Sequence, residues 1–137
     1  MIGASGIYSF NKSRKTLALR KSDFNKNLNL KCKRIIKKNF LIEFVQNKLK
    51  EEIYINDENY YLCLGEIYNE KSLGELKNKS KLLYNFHKKN KLKDFARLNG
   101  SFIFIIIEKE KFTIGCDQNS FIPMFYHFKN KLLRFSY

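Results

Sequence analysis

The stretch Ser101 to Ile107 constrains this chain most, because every residue after the serine is apolar and Asn99-Gly100 breaks the pattern just before it. A strand with no polar face is buried on both sides, so this run predicts the central strand of a sheet covered on each face. It is also the longest uninterrupted apolar run, far short of the roughly 18 to 20 residues that a membrane-spanning helix needs. Over 137 residues, hydrophobic residues make up 44% and aromatics 15%, enough for one compact domain with its own core. A single domain spanning residues 1–137 is therefore expected. Wholesale disorder and a transmembrane segment are excluded.

The rest of the chain is read outward from that strand. After the charged turn Glu108 to Lys111, Phe112 to Asp117, Ile122 to Phe128 and Leu132 to Tyr137 predict an antiparallel meander. Upstream, Gly6 to Phe10 predicts an opening strand and Phe40 to Val45 another. Ile53 to Ile55 and Tyr60 to Leu64 predict a hairpin around Asn56-Asp57-Glu58-Asn59. Between these sets the pattern is helical: Asn69 stands where a cap belongs ahead of a segment to Leu76. Ser80 stands similarly ahead of Leu82, Leu83 and Phe86, and Leu92, Phe95 and Leu98 extend that face. Strands, a helical middle and strands again describe an α+β domain. Leu30 to Lys38 carries too mixed a pattern to assign.

Charge is the loudest compositional signal, with 27 Lys and Arg against 13 Asp and Glu for a net +14. It has two readings. One is attraction to nucleic acid or another polyanion through Lys31 to Lys38 and Lys88 to Lys93. The other is coding bias, since Lys, Asn and Ile run high while Arg, the usual phosphate reader, is scarce. Cys32, Cys63 and Cys116 are odd in number and widely spaced, so neither a disulfide framework nor a zinc site is expected, and no cofactor is implied. The N-terminus has no basic stretch, apolar segment and small-residue cleavage site in order, which leads to the expectation of a cytoplasmic protein. His87 and His127 sit among aromatics and lysines with no nearby carboxylate to orient them, and no phosphate loop or nucleophile elbow is present.

Gly65-Glu66-Ile67-Tyr68-Asn69, directly after a strand and before a helix, resembles the Asn-Gly-Glu-Ile-Tyr-Asn signature of the asparagine synthetase family. That signature lies in the N-terminal glutaminase domain of the class II glutamine amidotransferases. Leu98-Asn99-Gly100-Ser101-Phe102-Ile103-Phe104 is similar to the family's Leu-x-Gly-x-Phe-Ala-Phe segment. Gly115-Cys116-Asp117 with Ile122-Pro123-Met124-Phe125-Tyr126 is similar to its Arg-Asp-x-x-Gly-x-x-Pro-Leu-Tyr segment, and Leu132 to Ser136 to the strand that follows. Gly3, Gly6 and Ile7 fall where Met-Cys-Gly-Ile-x-Gly-Ile would place them. The resemblance implies an N-terminal nucleophile hydrolase fold, an αββα sandwich of antiparallel sheets covered by helices, here shortened. Its surviving family positions are Tyr68, Asn69, Gly100, Asp117 and Pro123.

The departures bear on chemistry. Where active members carry a Cys after Met, whose thiolate attacks the glutamine amide, this chain has Ile2. The oxyanion-holding Asn is replaced by Leu64, leaving the backbone of Gly65 beside Glu66. By spacing, Lys79 and Lys81 fall on the Asp and Glu that bind the substrate ammonium, where a cation repels it and suits an anion instead. The expected region for the carboxylate-binding Arg, Glu43 to Leu49, offers only Lys48. The resemblance thus implies a catalytically inactive glutaminase-like domain. Its partner would be an asparagine-synthetase-type ATP-pyrophosphatase ligase, as a separate protein or as a C-terminal domain this chain lacks. β-Lactam synthetases and lasso-peptide cyclases offer the precedent. Ser5-Gly6-Ile7 mimics Cys-Gly-Ile, so removal of Met1 to Ala4 would expose Ser5 as an alternative nucleophile.

Overall fold

The two strands that the apolar run and the signature peptide predict lie side by side. β6 (Gly100–Ile107) pairs antiparallel with β5 (Asn59–Ile67) from Tyr60↔Ile107 to Ile67↔Gly100 without a break in register. The computed structural model describes residues 4–9, 32–37, 40–45, 53–68, 78–109, 111–129 and 131–136. The chain groups into two compact units, Glu51–Ile122 and Met1–Lys50 with Pro123–Tyr137.

The first unit is a four-stranded antiparallel sheet in the order β4-β5-β6-β7, where β4 is Tyr54–Asn56 and β7 is Phe112–Cys116. The β4–β5 turn has positive φ at Asp57 and Glu58, 47° and 68°, the twist that a two-residue hairpin connection requires. Alternation puts Tyr61, Cys63 and Ile67 of β5 with Phe102, Phe104 and Ile106 of β6 on one face. There they meet Leu82 and Leu83 of α1 (Lys79–Lys88) and Phe95 of α2 (Leu92–Ala96). Phe95 is fully buried, edge-on to Phe86, Phe102 and Phe104 at centroid distances of 5.3–5.5 Å. The opposite face carries Leu62, Leu64, Ile103 and Ile105, also buried, so the central pair has no polar side, as the composition of β6 requires.

The helix boundaries differ from expectation in one respect. Asn78, not Ser80, is the N-cap of α1, its side-chain oxygen accepting from the Lys81 N–H at 2.9 Å. Ser80 is buried and its Oγ accepts from the Cys63 N–H at 2.9 Å. The physical reason is that, among the described residues, β4 pairs with β5 as far as Tyr61, and beyond it the Cys63 N–H on that edge is met by the first turn of α1. The helix stops in a Schellman motif: Asn90 takes φ 56°, the Lys91 N–H reaches the Phe86 carbonyl and the Asn90 N–H the His87 carbonyl. Leu92, Phe95 and Leu98 then continue the packed face from a separate short helix and its exit.

The second unit is a five-stranded antiparallel sheet in the order β2-β3-β1-β9-β8. Its strands are β1 (Ala4–Ser9), β2 (Cys32–Lys37), β3 (Phe40–Val45), β8 (Phe125–Lys129) and β9 (Leu132–Ser136). The unassigned segment thus holds a strand, β2, whose Ile35 is buried and Ile36 exposed as a half-buried strand requires. The expected C-terminal meander is corrected: β7 belongs to the four-stranded sheet, whereas β8 and β9 pair with each other and β9 with β1. Asp117 and the loop after it, with Ser120 at φ 51°, end β7 before a continuous ribbon can form. Among the described residues the architecture is mixed, two antiparallel sheets with two helices packed on the four-stranded one. The expected helix from Asn69 to Leu76 lies outside the described residues.

Candidate functional site

The signature residues meet at the end of β5, the start of α1 and the start of β6. Gly65 occupies φ 105°, and a Cβ there would collide with the carbonyl oxygen of Ser101, so the position demands glycine for both space and conformation. Gly100, opposite Ile67, is equally confined: a Cβ would run into the Glu66 carbonyl oxygen. Tyr68 leaves the strand with its N–H on the Asn99 carbonyl at 2.8 Å, its side chain exposed. The two glycines and Tyr68 therefore fix how β5 and β6 close on each other.

Asp117 locks the other side of β6. It is 3% exposed, its Oδ2 accepts from the Phe102 N–H at 3.2 Å and its Oδ1 from the Asn119 N–H at 2.9 Å, while its own N–H donates to the Phe102 carbonyl at 3.0 Å. A buried carboxylate held by two N–H groups has its hydrogen-bonding needs met within the backbone and serves the strand.

Of Leu64, Gly65, Glu66 and Lys79, the fold sets Lys79 against Gly65 and Glu66, while Leu64 lies on the other face of β5. Leu64 is 1% exposed and belongs to the apolar face opposite the helices, with Leu62, Ile103 and Ile105. The Lys79 ammonium donates to the Gly65 carbonyl and lies 3.5 Å from Glu66 Oε2. This chain thus sets a cation of its own against the Gly65-Glu66 corner. Lys81 is exposed on the next stretch of helix. Ile2 and Asn69 lie outside the described residues. Pro123 is exposed ahead of β8, and Ser5 lies within β1, paired in the backbone with Glu43 and Ser136.

A second polar cluster escaped the sequence reading. Tyr61 OH lies 3.2 Å from His87 Nδ1, and His87 Nε2 lies 3.9 Å from Glu108 Oε2, a buried oxygen with no hydrogen-bond partner. His87 thus does face a carboxylate, contrary to the expectation that none orients it. The signal was present in part: Ser80, Leu83, Tyr84 and His87 repeat at helical spacing and place the imidazole toward β5, but Glu108 comes from the far end of β6. Burial first, then the nearby Glu108 charge and Tyr84, push the Tyr61 phenol above its ordinary value. The Tyr61 hydroxyl and Nδ1 of His87 are thus within hydrogen-bond distance, and the other ring nitrogen faces Glu108. Tyr61 is 3% exposed and ringed by Tyr54 and Tyr84 at 6.2 and 5.2 Å, and the trio of Tyr61, His87 and Glu108 holds α1 to the sheet.

Among the described residues no group of His, Cys, Asp and Glu is placed to hold a metal ion, and no helix is long and apolar enough to cross a membrane. Comparison with known proteins finds no family model that matches the chain and no match among curated sequences.

Proposed function

We propose that this chain is a glutaminase-like domain of the N-terminal nucleophile hydrolase type that has lost amidotransferase chemistry and serves as a scaffold. Its client is an asparagine-synthetase-type ATP-dependent amide-forming ligase, as a separate subunit or as a further domain of the same protein. The observation that carries this reading is the Lys79 ammonium seated on the Gly65 carbonyl beside Glu66, with Leu64 buried next door. In the family this corner serves a glutamine whose own ammonium needs an acidic partner, and a resident lysine opposes that binding. The motif glycines, Tyr68 and Asp117 support it by doing structural work that survives the loss of chemistry.

The test has two arms. Incubation with glutamine releases no glutamate above the protein-free rate, and release that depends on Ser5 returns the chain to the active class. Affinity capture from the native host at moderate and high salt recovers an ATP-pyrophosphatase-type ligase in both, and its absence from both removes the scaffold role.

One observation favours a second reading, a basic module that binds nucleic acid. Lys88, Lys89, Lys91 and Lys93 are all exposed around the end of α1, with Asp94 the only acidic residue among residues 88–97. Contacts of this kind are made to phosphates and weaken steeply with salt. Glutamate replacements at these lysines abolish nucleic-acid retention under this reading and leave capture of a protein ligase unchanged under the first.

A further inference from the structure

β8 is the outermost strand of its sheet: it pairs with β9 on one side and, among the described residues, with no strand on the other. All five of its residues are exposed, with Phe125 at 66%, Tyr126 at 74% and Phe128 at 59%. An edge strand presents a row of main-chain donors and acceptors, and aromatic side chains on such an edge make it a template for a further strand.

The charge around it is of one sign. No Asp or Glu occurs from Gln118 to Tyr137, while Lys129, Lys131 and Arg134 do, all exposed. Residues opposite each other in an antiparallel pair point the same way, so Phe125, His127 and Lys129 share a face with Ser136 and Arg134, and Tyr126 and Phe128 share the other with Phe135 and Leu133. A second copy of the chain brings the same cations against themselves on a molecule of net +14. A single-stranded nucleic acid stacks on successive large rings of one face, and the cationic face of β8 carries one benzene ring, Phe125, beside the smaller His127 imidazole, while Tyr126 and Phe128 lie on the other. An extended peptide uses both faces and the main chain together.

We propose that the outer edge of β8 docks an extended acidic segment of a partner protein. The segment adds as a further strand, with carboxylates over His127, Lys129 and Arg134 and apolar side chains beside Tyr126 and Phe128. This docking stands whether or not the chain descends from glutaminases.

The probe is a fluorescent strand-length peptide alternating glutamate and valine, followed by anisotropy against the full chain, with a lysine-valine peptide and an oligothymidylate in parallel. The glutamate peptide binds saturably, weakens as salt rises, and loses about tenfold or more in affinity to K129E/R134E, since it depends on charge at the rim of the contact. Amides of β8 that point away from β9 gain hydrogen-exchange protection in the complex. Where the double variant does not melt cooperatively, Lys129→Glu alone, at the end of the strand, gives the same direction. The proposal is overturned by no saturable binding, by equal binding of the two peptides, or by full binding to a folded K129E/R134E. Protection of the same amides by oligothymidylate assigns the edge to nucleic acid, and their protection in a dimer of the protein alone assigns it to a second copy. Either result also overturns it.

Discussion

The Tyr61 hydroxyl and Nδ1 of His87 share a hydrogen bond at 3.2 Å across 26 residues of chain, joining the second strand of the four-stranded sheet to the last turn of α1. Because burial, Glu108 and Tyr84 hold the phenol above its ordinary value of 10.0, the folded protein resists its ionisation more than the unfolded chain does. The sign follows: this contribution to stability is fully present below about pH 10 and is lost as pH rises through the higher folded value. Tyr61→Phe removes the hydrogen bond, costing about 1 kcal/mol at neutral pH, and also flattens the alkaline limb. Thermal melts of parent and variant from neutral to strongly alkaline pH therefore converge as pH rises. Parallel curves show that Tyr61 does not carry the alkaline loss.

Gly65→Ala is expected to prevent folding of the four-stranded unit. The residue combines φ 105° with a Cβ site already filled by the Ser101 carbonyl, and each defect alone costs on the order of 1–3 kcal/mol. Circular dichroism of the purified variant reads this directly, and a cooperative melt near that of the parent contradicts it.

Asp117→Ala leaves the Phe102 and Asn119 N–H groups without their partner, one of them in the buried start of the central strand. The expected loss is about 2–4 kcal/mol in urea unfolding, within the range for unsatisfied buried donors to a charged acceptor. Asp117→Asn retains one acceptor and falls between the two.

The two candidate caps of α1 separate by the kind of damage. Asn78→Ala costs about 1 kcal/mol through a lost N-cap. Ser80→Ala costs about 1–3 kcal/mol by stranding the buried Cys63 N–H, and exposes that amide to hydrogen exchange. Equal exchange at Cys63 in both variants argues against the assignment of Ser80 to the sheet edge.

Under the proposed glutaminase-like reading, placing the family's Asn at Leu64 yields no glutaminase activity. Leu64→Asn buries an amide on an apolar face and destabilises the protein by about 2–4 kcal/mol, with no gain in glutamate release, alone or with Lys79→Glu. Glutamate production by the double variant contradicts the proposed loss of amidotransferase chemistry.

The elements with a strong local pattern are legible in the sequence alone. β3 runs from Phe40 to Val45 and β6 covers the apolar run, because four or more apolar residues between turn signals have few other stable conformations. The Asp57-Glu58 turn was legible for the same reason. β2 was not, since Lys33, Arg34 and Lys37 break its alternation and its register depends on six pairings with β3. The cap was misplaced because Asn78 and Ser80 are equally good N-cap residues in isolation, and only the open edge of β5 decides between them.

The sequence by itself determined an α+β chain with a central doubly buried strand and the glycines that close β5 against β6. Tertiary structure decided what lies far apart in the chain: that β8 leaves the ribbon to form a sheet edge, that Lys79 folds back onto Gly65, and that Glu108 faces His87. Periodicity and turn chemistry act over a few residues, whereas sheet partners and buried polar contacts are selected by packing and hydrogen-bond satisfaction across the whole unit.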